Sequence, residues 1–254
     1  MPKYNWKTAW ITGASSGIGL ELARLLDEKV THLAVSARSQ DKLNALASKC
    51  KNVISYPLDV TDADAVAANV GDIEATAGPI DLAVLNAGAW QLMDVADFDL
   101  SAIRTGIEVN YMGVVHAINA LLPGMLARGA GHIVIVASVA GYRGLPRSVA
   151  YGPTKAALIN LAETLRTELE PRGITVSLVN PGFVDTPMTR DNPFPMPGII
   201  PAKEAAQRLH AGLVRRQYEI IFPRAFVFAM KLLRLLPNAA FFWVCRTFLL
   251  KRPA

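Results

Sequence analysis

The sequence predicts an α/β fold: one doubly wound parallel sheet with helices on both faces, and extra apolar helices at the C-terminal end. Three observations carry that expectation. Short apolar runs alternate with longer stretches that are apolar at helical spacing through about the first 180 residues. The first of these runs turns through a glycine-rich loop directly into a helix. No repeat, low-complexity tract or linker divides the 254 residues, 52% of them hydrophobic, so residues 1–254 read as one domain able to bury a substantial core.

Ala9-Trp10-Ile11 reads as a buried strand, and Leu20 to Leu26 as the helix that follows. Between them lies Thr12-Gly13-Ala14-Ser15-Ser16-Gly17-Ile18-Gly19. Glycines let the chain turn tightly and approach a pyrophosphate, which then rests on free N–H groups at the positive helix end. A second strand, His32 to Ala37, completes a βαβ unit. Helices are expected over about Gln40 to Lys49 and Asp62 to Ala75, and strands over Val53 to Leu58 and Leu82 to Leu85. A long helix is expected from about Ser101 to Leu126, then a strand from His132 to Ala137. Pro153 would break a helix interior but is tolerated in a first turn. The next helix is therefore expected to begin at about Gly152 and to reach Leu169, ahead of a strand from Thr175 to Val179. Alternation of this kind implies a parallel sheet covered on both faces, with ligands at the carboxyl ends of its strands. Thr12, Asn86, Ser138 and Asn180 fall at such ends.

Tyr151 and Lys155 stand four residues apart, which on a helix places a phenol and an ammonium one turn from each other. A tyrosine ordinarily titrates near about 10. A neighbouring cation lowers that value and brings the phenol toward acid–base work. Taken alone, the pair is as compatible with a ring at the core edge and a solvated lysine. Its surroundings decide otherwise.

Three residues separate the first two glycines of the loop, where the usual dinucleotide fingerprint has one. That spacing, with Tyr151 and Lys155, resembles the classical short-chain dehydrogenase/reductase family, whose fold is Rossmann-like. The resemblance covers about residues 1–200 and leaves about 201–254 as a substrate lid or C-terminal amphipathic extension. It recurs in order at Asn86-Ala87-Gly88, Asn110, Ser138 and Pro181-Gly182-Phe183-Val184-Asp185-Thr186. It implies a catalytic set of Asn110, Ser138, Tyr151 and Lys155. In that set Ser138 holds the substrate carbonyl oxygen and Tyr151 exchanges a proton with it. Lys155 depresses the Tyr151 pKa and binds the nicotinamide ribose, and Asn110 positions a relay water. The implied cofactor contacts are Gly13, Ser15, Ser16, Gly17, Ile18, Gly19, Arg38, Asp59, Val60, Asn86, Ala87, Gly88, Tyr151, Lys155, Pro181, Gly182, Val184 and Thr186.

Cofactor choice turns on the end of the second strand. Val35-Ser36-Ala37-Arg38-Ser39 has no carboxylate before Asp41 to accept a ribose 2′-OH. Arg38 instead offers a permanently charged donor set suited to a 2′-phosphate. NADP(H) is expected ahead of NAD(H). Asp59 fits an adenine contact and equally a helix cap before Thr61. Expected pocket walls are Trp90, Leu92, Gly141 to Leu145, Phe183, Met188 and a proline-rich lid from Asp191 to Ile200, which suit a hydrophobic carbonyl or alcohol. The expected function is hydride transfer on a ketone, steroid-like or acyl-chain substrate. The alternative is a non-catalytic cofactor-sensing or scaffolding protein of the same fold at a membrane surface.

From Lys203 onward there are 10 Lys and Arg against 2 Asp and Glu, while the preceding part is slightly acidic, so the whole formal charge of +5 comes from this end. Residues 225–236 are apolar with a narrow basic stripe, and 239–252 add aromatic and basic residues. No uncharged stretch approaches the ~20 residues of a membrane span. A membrane-surface contact over 225–252 fits, and so does a lid or subunit interface. The resemblance implies a homo-oligomer. Bulky C-terminal helices in place of short glycine-containing strands favour a homodimer over a tetramer. No nucleic-acid module is recognised. Cys50 and Cys245 are too few for a disulfide framework, and no metal-ligand spacing is present. With no apolar signal region near Met1, the expected address is cytoplasmic, with peripheral contact on the inner face of a membrane as its extension.

Overall fold

The computed structural model describes residues 6–250; Lys251 and Arg252 of the expected membrane-contacting segment lie outside them. The chain runs β1 (Thr8–Thr12), α1 (Gly17–Leu26), β2 (His32–Ser36), α2 (Gln40–Ala47), β3 (Val53–Ser55), α3 (Ala63–Ala77) and β4 (Leu82–Leu85). It continues with α4 (Leu100–Ile107), α5 (Gly113–Arg128), β5 (Gly131–Val136), α6 (Gly152–Leu169) and β6 (Ile174–Pro181). The last part comprises β7 (Val184–Asp185), β8 (Ile200–Pro201), α7 (Ala202–Val214), β9 (Glu219–Phe222), α8 (Arg224–Leu235) and α9 (Asn238–Val244).

Seven strands form one sheet in the order β3-β2-β1-β4-β5-β6-β9, and β7 pairs with β8 apart from it. Every pairing between named strands is parallel. The doubly wound expectation therefore holds, and the extra C-terminal apolar helices are α8 and α9. The sheet buries both faces. One core joins Trp10, Ile73, Leu121 and Ile133 to α3, α5 and α6, and the other joins Ile11, Leu22, Leu33 and Leu209 to α1, α2 and α7. Because β1 lies between β2 and β4, the winding reverses there, and a crevice opens at the carboxyl ends of β1 and β4.

Boundaries shift modestly from the expectation. The third strand ends at Ser55, three residues early, and α3 extends to Ala77. The long helix from Leu100 to Arg128 is broken by a π-helical turn over Glu108–Met112. It is the one helix among the described residues long and apolar enough to cross a membrane, but α5 spends its apolar residues, Val114, Ile118, Leu121 and Met125, on the sheet. Strand β9 and helix α7 extend the sheet and its cover where no element was expected.

Glu219, at the start of β9, fastens α8 to the sheet. Its carboxylate accepts hydrogen bonds from Tyr142 Oη at 2.6 Å and Asn180 Nδ2 at 2.8 Å, and pairs with Lys231 of α8. Burial alone would raise its pKa, yet the donors from Lys231, Tyr142 and Asn180 hold it below the usual carboxylate value.

Candidate active site

Thr12, the last residue of β1, draws the two strand ends together: its Oγ1 accepts from Asn86 N at 3.0 Å and Ala87 N at 3.1 Å. Asn86 Nδ2 donates back to the Thr12 and Gly13 carbonyls at 3.1 and 3.2 Å. The loop is packed so closely that a Cβ on Gly19 would meet the Gly13 carbonyl oxygen at 2.5 Å. Gly13 adopts φ +69°, and a Cβ there would stand 2.8 Å from Ala87 Cα. Across the crevice, a Cβ on Gly17 would stand 2.9 Å from Thr186 Cγ2. Ser16 is the N-cap of α1 but makes no side-chain cap, and the first turn holds no acidic residue. Ser15 and Ile18 complete this turn, both partly buried. The positive end of α1 is therefore free to receive an anion.

Arg38 is exposed just beyond β2. Beyond β3, Asp59 is tied locally: its Oδ1 accepts from Thr61 N at 3.0 Å and Thr61 Oγ1 at 2.9 Å. Those bonds, the backbone one foremost, with help from the Arg38 charge, lower its pKa. The cap of α3 is Asp62 and not Asp59. Val60 is buried, and its side chain meets the space above Gly113 that a Cβ there would fill.

Asn110 sits inside the π turn with no exposed surface. Its Oδ1 accepts from Ala89 N at 2.7 Å, and its Nδ2 donates to Ala89 O at 3.0 Å and Thr154 Oγ1 at 3.1 Å. Thr154 Oγ1 donates in turn to the Tyr151 carbonyl at 2.7 Å, so the asparagine braces the start of α6. Gly88 keeps a gap open beside it: a Cβ there would lie 3.2 Å from Asn110 Oδ1 and 3.7 Å from Lys155 Nζ.

Ser138 follows β5, and its hydroxyl contacts Pro181 O at 3.5 Å, accepts from Ala140 N at 3.2 Å and reaches Tyr151. Tyr151 is the N-cap of α6, and Pro153 lies in the first turn, as expected. Lys155 is 3% exposed, donates from Nζ to Val136 O at 2.9 Å and stands 5.5 Å from the Tyr151 ring centre. Burial pushes Tyr151 up to about 12, only partly countered by Ser138, and pulls Lys155 down to about 8. The expected lowering of Tyr151 by Lys155 is thus absent from the protein alone. Both groups are desolvated, and the ammonium hydrogen bond goes to a backbone carbonyl.

Over this centre, Trp90 meets Tyr151 edge to face at 4.8 Å and donates from Nε1 to Asn192 Oδ1 at 2.9 Å. The expected lid is therefore joined to the tyrosine through Trp90. Phe183 contacts Phe194 at 6.0 Å and Phe226 of α8 at 5.2 Å, while Leu92 is partly buried and Met188 is exposed. Gly182 faces Phe226 so closely that a Cβ would stand 2.6 Å from its ring; Pro181 and Val184 are buried behind it. Sequence reasoning missed the brackets formed by Thr12 and Thr154 and the wall supplied by Phe226. Both threonines stood within flagged motifs, whereas nothing local marked Phe226. Among the described residues no group of His, Cys, Asp and Glu is arranged to hold a metal.

The family described as short chain dehydrogenase matches residues 7–194. An uncharacterised oxidoreductase of Myxococcus xanthus is 35% identical over 245 residues, 95% of this chain and 97% of that protein. A short chain dehydrogenase from Burkholderia cenocepacia solved with NADP aligns at 27% identity and a TM-score of 0.83, over 98% of this chain and 99% of its own. A Burkholderia phymatum short chain dehydrogenase/reductase solved with NAD aligns at 25% identity and a TM-score of 0.82, over 91% and 94%.

Proposed function

The chain belongs to the short-chain dehydrogenase family, and from that premise we propose that it is an NADP(H)-dependent oxidoreductase interconverting a hydrophobic carbonyl compound and its alcohol. The observation that carries the reading is the meeting of Ser138, Tyr151 and Lys155, joined through Asn86 to Gly88 to the loop before the uncapped, acid-free first turn of α1.

A nicotinamide dinucleotide fits the residues present. The first turn of α1 and its loop would hold the pyrophosphate, Lys155 the nicotinamide ribose, and Asn86 to Gly88 with Pro181 to Thr186 the space between. When bound, that group supplies or accepts the hydride. Ser138 orients the substrate carbonyl oxygen through its hydroxyl. Tyr151, held as a neutral phenol by burial at working pH, donates its proton to that oxygen in reduction; in oxidation it must first release that proton toward solvent, and the phenolate then takes the proton of the alcohol. The gap that Gly88 leaves between Asn110 Oδ1 and Lys155 Nζ supports a water there, because Asn110 Oδ1 retains a lone pair after accepting from Ala89. Trp90, Phe183, Phe194 and Phe226 support an apolar substrate, since few charges line that side.

Arg38 supports NADP(H), and its solved relatives were obtained with either cofactor. The test is a panel of ketones, aldehydes and alcohols followed by absorbance of the reduced cofactor, with NADPH and NADH in parallel. Turnover of apolar carbonyls that favours NADPH is expected. Catalysis with neither cofactor across the panel, despite measurable cofactor binding, would instead favour the non-catalytic sensing or scaffolding reading.

A further inference from the structure

Helix α8 is apolar on both sides. Val227 and Met230 enter the core, and Phe226 and Leu233 pack against it. At 3.6 residues per turn, Ala225, Phe228, Leu232 and Leu235 share the opposite arc, with Arg224 at its border. A helix with apolar faces on opposite sides is ordinarily covered on both. Here Phe228, Leu232 and Leu235 are 56%, 66% and 78% exposed, and beyond Pro237 so are Phe242, Trp243, Phe248, Leu249 and Leu250. Trp243 and Phe248 stand edge to face at 5.8 Å with both rings in solvent. This concentration exceeds the scattered apolar exposure a surface normally carries.

The charge carried by this segment has one sign, and the carboxylates beside it, Glu163 and Glu219, lie in the groove on the inner side of α8. From Ile220 to the last residue there are 6 Lys and Arg and no Asp or Glu. Arg224 and Arg246 are exposed. Lys231 and Arg234 lie on the inner side of α8, Lys231 paired with Glu219 and Arg234 in the groove with Tyr142 and Glu163. A second copy of the chain docking face to face would bring these cations together without a carboxylate from the segment to pair them. An anionic lipid surface meets both demands. It takes up aromatic and leucine side chains at the headgroup boundary and neutralises the bordering arginines.

We propose that α8, α9 and the following turn over Cys245–Leu249 dock the protein onto an anionic lipid bilayer. The docking surface is fastened to both sides of the crevice. Phe226 contacts Phe183 and fills the space above Gly182. Arg143 donates to the Arg234 and Leu236 carbonyls at 3.0 and 2.6 Å and to Asn238 Oδ1 at 2.5 Å, and its guanidinium lies 4.1 Å from the Phe241 ring centre. The proposal does not depend on the redox reading, because it concerns a surface outside the catalytic set.

The test is co-sedimentation of the full chain with vesicles of equal parts phosphatidylglycerol and phosphatidylcholine, against vesicles of phosphatidylcholine alone. Binding to the first at low salt is expected, falling at least tenfold on the second and in about 1 M salt, where the screening length is about 3 Å. Arg224→Gln with Arg246→Gln should weaken binding by about fivefold per charge. Phe228→Ser with Leu232→Ser and Leu235→Ser should abolish it while leaving a cooperative circular-dichroism melt only a few degrees lower, since all three side chains are more than half exposed. Equal binding to both vesicle types, or none to the anionic ones at low salt, overturns the proposal. So does a wild-type dimer that ignores vesicles and becomes monomeric in the triple variant, which would assign the surface to a second copy.

Discussion

Helices α6 and α8 pack into the same core on one side of the sheet, and they finish their outer faces in opposite ways. Helix α6 buries Leu158, Ile159 and Ala162 and turns Asn160, Glu163, Thr164, Thr167 and Glu168 to solvent. Helix α8 buries Val227 and Met230 and turns Phe228, Leu232 and Leu235 outward. Contact with the sheet completes the first helix, because its apolar stripe is used up there. The second retains apolar surface after folding. The difference also separates chemistry from placement. At its N-terminal end α6 holds an ionisable pair, half-buried Tyr151 and buried Lys155, whereas α8 holds no buried titratable group of that kind and offers area instead.

The sharpest way to break this division is Tyr151→Phe. It removes the phenolic proton and leaves the ring's contact with Trp90 in place. Turnover should fall by about 10²–10⁴, with cofactor affinity by fluorescence titration nearly unchanged. A comparable turnover in the variant would move the acid–base role away from α6.

Lys155 tests the same helix through stability. Its folded pKa is about 8, below the ordinary 10.5. Between those values the unfolded chain binds a proton that the folded chain does not, so stability rises with pH through that window and is lowest below about 8. The buried charge opposes folding at neutral pH by up to about 3 kcal/mol, less about 1 kcal/mol returned by the bond to Val136 O. Lys155→Met should therefore be more stable than wild type at pH 7, and the gap should close toward pH 9.5. That range stays below 10, where Tyr151, raised to about 12, begins to act in the opposite sense. Urea melts at the two pH values decide it; a variant less stable at both would mean that Lys155 is a structural lysine.

Arg38→Asp probes the far end of the crevice. Exchanging an exposed guanidinium for a carboxylate removes a charge-assisted partner for a 2′-phosphate and adds repulsion. The kcat/KM ratio for NADPH over NADH should drop by about 10–100-fold. An unchanged ratio would place cofactor discrimination elsewhere, with the Asp59–Thr61 turn the next residues to vary.

How much of this was readable beforehand follows the same split. The strands that deliver Thr12, Asn86, Ser138 and Asn180 are fully buried parallel strands, and such strands announce themselves as unbroken apolar runs. Tyr151 and Lys155 were legible because helical spacing is local. The π turn around Asn110 has no marker in Glu108-Val109-Asn110-Tyr111-Met112, and periodicity alone reads straight through it. Helix α7 escaped because three of its five buried residues, Ala205, Ala206 and Gly212, are small and leave only Leu209 and Leu213 to mark its inner face. Strand β9 is four residues long, and a short apolar run does not distinguish strand from helix. Glu219 was illegible for another reason. Its partners Tyr142, Asn180 and Lys231 come from distant positions, and only the folded sheet brings them together.

The finest test compares neighbours on α8. Val227 is fully buried and Phe228 is more than half exposed, one residue apart on the same turn. If the inner face alone supports the fold, Val227→Ala should cost about 2 kcal/mol through lost burial and the cavity left behind. That corresponds to a melting temperature lower by about 4–8 °C for a chain of this size. Phe228→Ala removes a far larger side chain yet should change stability by no more than about 0.5 kcal/mol. Scanning calorimetry of the two variants in detergent-free buffer reads the contrast directly. A Phe228→Ala loss as large as that of Val227→Ala would mean that the outer face is covered in solution, and α8 would then be completed by protein as α6 is.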